Sequence, residues 1–86
     1  MSVVEDMGDQ LARDVIAAMA ETGDDRLYDK ISKVLLDASP TMQEAFLTAY
    51  RVRIAEKRAR AFLDLMLKAK REGGDAPKIH MESGGH

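Results

Sequence analysis

Residues 39–74 read SPTMQEAFLTAYRVRIAEKRARAFLDLMLKAKREGG, and this stretch decides the fold. Ser39-Pro40 opens it, Gly73-Gly74 closes it, and no Gly or Pro lies between. A serine hydroxyl satisfies the first free N–H groups of a helix. Proline at the first helical position has φ already set and no N–H to leave unpaired, and glycine accepts the left-handed turn that ends a helix. The punctuation predicts one long helix over 40–72, roughly 48 Å at about 1.5 Å per residue.

The apolar face of this rod does not keep one direction. Met42, Ala45, Phe46, Ala49 and Tyr50 share a side at 100° per residue. From Arg53 onward the same side carries Arg53, Lys57, Arg60, Asp64, Lys68 and Arg71. The later apolar residues cover the rest of the circumference, so the two halves are expected to face different neighbours. The first half reads as local core against a preceding helix. Ile54, Ala55, Ala59, Phe62, Leu63, Leu65 and Met66 in the second half read as an oligomer interface, and Arg53, Lys57, Arg60, Lys68 and Arg71 as a basic stripe for a partner.

Upstream, Ser2 and Glu5 have the spacing of a reciprocal capping box and start a first helix over 3–22. Val4, Met7, Leu11, Val15, Ala18 and Met19 form its apolar stripe, with Asp6, Asp9 and Arg13 on the wet side; Gly8 reads only as a weak point. Thr22-Gly23-Asp24-Asp25 supplies a stop and new caps, followed by a second helix over 25–37 whose expected buried stripe is Leu27, Ile31, Val34 and Leu35. At about 20 Å this helix is too short to cover the rod. The first helix is expected along the second half of the rod, with a second chain on its other side. After Gly73 the composition turns to Gly, Asp, Pro, Ser and His, which reads as a flexible tail over 74–86 behind a single domain over 1–73. The fold class is all-α: three helices in a kinked hairpin or small bundle, dimerised through the long C-terminal helix.

Composition narrows the function. The chain has 86 residues, 45% of them apolar and 33% charged, a domain size at which one core barely outweighs chain entropy and association commonly completes it. There is no Cys, hence no disulfide, thiolate metal site or cysteine nucleophile. Acid rather than base follows the first Met, and the apolar run Val15–Ala20 is too short to span a bilayer, so a cytoplasmic protein without membrane contact is expected. The formal charge of -2 hides an asymmetry: residues 1–37 hold nine acids and four bases, residues 51–72 eight bases and three acids.

Chemistry finds little footing. His80 and His86 are the only histidines, and with Glu82 they sit in the tail, where no geometry holds a metal or a proton relay. Glu5, Asp6 and Asp9 already have an electrostatic reason to occupy a helix's first turns. No Gly-rich phosphate loop is present, so neither enzyme activity, nor a metal, nor a cofactor is expected. A helix-turn-helix reading fails because Met42, Ala45, Phe46 and Leu47 stand where a recognition helix needs polar side chains. The reading is therefore a non-enzymatic interaction or regulatory module that forms a homodimer and binds an unidentified protein partner. The alternative is a nucleic-acid-associated protein using the basic stripe.

Overall fold

The computed structural model describes residues 2–73. They form three α-helices in chain order: α1 (Val3–Thr22), α2 (Leu27–Ala38) and α3 (Pro40–Arg71); no strand occurs among the described residues. The proposed tail over 74–86, with His80, Glu82 and His86, lies outside them.

Local hydrogen bonding sets the helix ends. Ser2 Oγ accepts the Glu5 N–H and Glu5 Oε1 accepts the Ser2 N–H, closing the capping box. Gly23 ends α1 at φ 76, in the left-handed region, with its N–H donating to the Met19 carbonyl. Ser39 Oγ accepts the Met42 N–H at the start of α3, and Gly73, at φ 72, follows its end. The second helix starts at Leu27, not Asp25. Asp24 Oδ1 accepts the Arg26 N–H at 3.0 Å, which folds Asp25 and Arg26 into a turn instead of a first helical turn.

The chain divides into two compact units, residues 1–56 and residues from Lys57 onward, with α3 contributing to both. In the first unit α1 and α2 both pack on the start of α3. Phe46 is fully buried with Ala12 and Val15, and Leu11, Met19, Leu27, Tyr28, Ile31 and Leu35 close round them. Thus α1 is a neighbour of the first half of α3, the place expected for α2 alone. The Tyr28 and Tyr50 rings stack at 4.7 Å, joining α2 to α3.

Two burial assignments are corrected. Val34 is 66% exposed, because α2 is turned so that Tyr28, Ile31, Ser32 and Leu35 face inward. The Tyr28 stack and a hydrogen bond from Gln43 Nε2 to Ser32 Oγ (3.0 Å) hold that rotation. Met7 is 56% exposed, the inner face of α1 being centred on Gly8, Ala12 and Val15. Gly8 is more than a weak point. A Cβ there would lie 2.8 Å from the Ala45 carbonyl carbon and 2.9 Å from its Cβ, so the missing side chain is what lets α1 and α3 approach.

In the second unit Lys57–Arg71 is helical throughout, ending in Lys68, Lys70 and Arg71, where positive charge complements the helix dipole.

Candidate interaction surfaces

The first unit carries an open groove of about 470 Å³ between α1 and the start of α3. Val4, Ala45 and Ala49 line it with apolar surface, Glu5, Asp9 and Glu44 with acid, and Thr41 and Thr48 with hydroxyls. Gly8 brings the two helices together at Ala45, and Asp9 fixes them further along. Both carboxylate oxygens of Asp9 accept from Arg53, Oδ1 from Nε at 2.6 Å and Oδ2 from Nη2 at 2.8 Å. This two-point fork matches the planar guanidinium to the carboxylate. The Arg53 hydrogen bond holds Asp9 below the usual carboxylate range against the opposing effect of desolvation, and the same bond raises Arg53.

Arg53, counted with the basic stripe, thus binds an acid of α1. Tyr50, at the other edge of this packing, directs its hydroxyl to Met19 Sδ at 3.9 Å, and burial pushes its ionisation upward.

In the second unit Lys57, Arg60, Lys68 and Arg71 are all exposed. Of the expected contact residues, Leu63 is 49% and Leu65 54% exposed, Ala59 is exposed, and Phe62 and Met66 are half-buried. Ile54 and Ala55 belong to the first unit, half-buried and exposed respectively. Val52, outside the expected contact residues, is 62% exposed.

Among the described residues no cluster of His, Cys, Asp or Glu could hold a metal ion, and no helix is long and apolar enough to cross a membrane. No family model, curated protein or solved structure matches the chain.

Proposed function

We propose that the chain is a small, non-enzymatic helical interaction module that self-associates through the later part of α3 and presents charge to a second macromolecule. The observation that carries this reading is the exposure of Leu63, Leu65 and Leu67 within one and a half helical turns. Fully burying one such side chain is worth about 1.5–3 kcal/mol. Covering the exposed parts of three leucines on each of two copies therefore yields about 5–8 kcal/mol, against an association cost of roughly 4–15 kcal/mol. The three leucines alone therefore leave at most about 4 kcal/mol, a dissociation constant of about 1 mM, so the dimer they support is weak and reversible.

Sedimentation equilibrium from about 10 μM to roughly 5 mM covers that range. The wild type should move from monomer to dimer. Phe62→Glu and Leu65→Glu should each shift the midpoint upward by at least about tenfold, since each puts a charge where apolar surface is covered. A wild type that stays monomeric at the highest concentration refutes the self-association.

One observation favours a second reading, nucleic-acid association: residues 57–72 carry six cations and two acids, and Lys57, Arg60, Lys68 and Arg71 are exposed. Neutralising several phosphates makes affinity fall steeply with salt. Absence of duplex and single-strand binding even at low salt removes this reading.

A further inference from the structure

The apolar surface of the second unit has a symmetry of its own. Counted outward from Asp64, Leu63 matches Leu65, Phe62 matches Met66, and Ala59 matches Ala69. At 100° per residue Ala59, Phe62, Met66 and Ala69 form one strip along the helix. Leu63 and Leu67 bound that strip on one edge, and Arg58, Leu65 and Glu72 bound it on the other. Asp64 and the exposed cations Lys57, Arg60, Lys68 and Arg71 lie on the opposite side. Glu72 keeps its place on the edge because its N–H still donates to the Lys68 carbonyl, at 3.0 Å, as the next residue of a helix would.

A strip with this symmetry fits a second copy of itself turned end for end. When two such segments run in opposite directions about a two-fold axis beside Asp64, each edge lies against the same edge of its twin. Phe62 then meets Met66 of the second copy, a sulfur–aromatic contact, and Ala59 meets its Ala69. On one edge Leu65 meets Leu65; on the other Leu63 meets Leu63, with Leu67 one turn along. Arg58 comes within about 3 Å of the level of the second copy's Glu72, at about 1.5 Å per residue, and the symmetry makes that opposite-charge pair twice. Parallel alignment crosses the edges instead. It sets Arg58 against Leu63 and Leu65 against Lys70, and it stacks Phe62 on Phe62.

We propose that the segment 57–72 pairs antiparallel with the same segment of a second copy, Phe62 against Met66 near the axis and Arg58 against Glu72 towards each end. The contact is isologous, each copy giving the same strip and the same edges. It rests on the self-association reading and fixes the direction and register of that contact. Arg58 and the second copy's Lys70 share a level on opposite edges; both are exposed, so solvent and salt screen their repulsion. Because the cationic side of each helix faces away from its twin, pairing leaves Lys57, Arg60, Lys68 and Arg71 open to a further partner.

The absence of cysteine makes the register directly testable. Full-length Ala59→Cys and Ala69→Cys chains, one carrying a mass tag, are mixed at a concentration where the wild type is dimeric and treated with a short bismaleimide. Circular dichroism checks that helix content is unchanged, and the same mixture in urea sets the random ratio of products. In buffer the mixed Ala59→Cys/Ala69→Cys product should exceed both same-site products several-fold beyond that ratio, because identical sites lie about 15 Å apart along the antiparallel pair. Arg58→Glu and Glu72→Arg should each raise the dimer dissociation constant about three- to tenfold at low salt, and the double variant should return it to within about twofold of wild type. Same-site products in excess, the random ratio in buffer, or a double variant no tighter than the singles overturns the antiparallel pairing alone. A wild type monomeric throughout overturns both this pairing and the self-association on which it rests.

Discussion

Gly8→Ala tests the packing of α1 on α3 by the sign of its effect. Within an ordinary helix the substitution stabilises by about 0.8–1.0 kcal/mol, because alanine loses less backbone entropy than glycine. At Gly8 the added methyl would sit 2.8 Å from the carbonyl carbon, 2.9 Å from the Cβ and 3.0 Å from the carbonyl oxygen of Ala45. Two of those three atoms are backbone and cannot rotate away. Restoring ordinary contact requires α1 and α3 to separate by roughly 0.6–0.8 Å, and overpacking of this kind costs about 1–3 kcal/mol. With backbone as the obstacle the upper part of that range applies, for a net loss of about 1–2 kcal/mol. In a domain of this size each kcal/mol moves the midpoint by about 4–8 °C.

Thermal and urea unfolding followed by circular dichroism measure the change, with Ala17→Gly on the exposed side of α1 as the reference for the local alanine-to-glycine difference. Ala45→Gly in the Gly8→Ala background removes only the Cβ contact, and the backbone atoms at 2.8 and 3.0 Å remain. The double-mutant cycle should therefore show a favourable coupling of about 0.5–1 kcal/mol without full rescue. A Gly8→Ala chain with an unchanged or raised midpoint refutes the close approach of the two helices.

The Asp9–Arg53 fork makes stability fall in acid. Because the folded carboxyl titrates below its unfolded value, its contribution is fully present above about pH 4 and is lost as pH falls through the depressed folded value. Asp9→Asn should lower the urea midpoint at pH 7 and flatten the decline measured from pH 6 to 2. Asp24 and Asp29, lowered by Lys30 and Lys33, preserve part of that slope. Arg53→Lys should fall between wild type and Asp9→Asn at pH 7, keeping the charge and losing the two-point geometry. Phe46→Ala should cost about 3–5 kcal/mol and unfold most of the chain at 25 °C, whereas Val34→Lys should change stability by no more than about 0.5 kcal/mol.

The helix ends were legible because capping is local: Ser2 with Glu5, Gly23, Ser39 with Pro40, and Gly73 each act through hydrogen bonds or dihedrals within a few residues of themselves. The inward faces were less legible. Hydropathy favours Val34 over Ser32, yet Ser32 is buried, since a hydroxyl that receives the Gln43 amide no longer carries the cost of an unpaired polar group. The Tyr28–Tyr50 stack fixes the same rotation of α2 through a ring on another helix, which no periodicity within α2 can contain. Gly8 shows the same division: its local cost is visible in isolation, while its value depends on Ala45, thirty-seven residues away.

Arg53 is where these two kinds of information meet. Its place on the face that carries Phe46 and Tyr50 was readable, and charge on that face suggested a surface turned to an outside partner. The nearest acid to satisfy it is Asp9, assigned by periodicity to the wet side of α1, and the two form the edge at which the packing of the first unit meets water. A cation on an apolar face therefore marks either the end of a core or the start of a binding surface, and only its partner distinguishes them. For Arg53 the partner is within the chain. For Lys57, Lys68 and Arg71, exposed on the second unit, the same question passes to the salt experiment, because binding to a phosphate backbone falls steeply as salt rises.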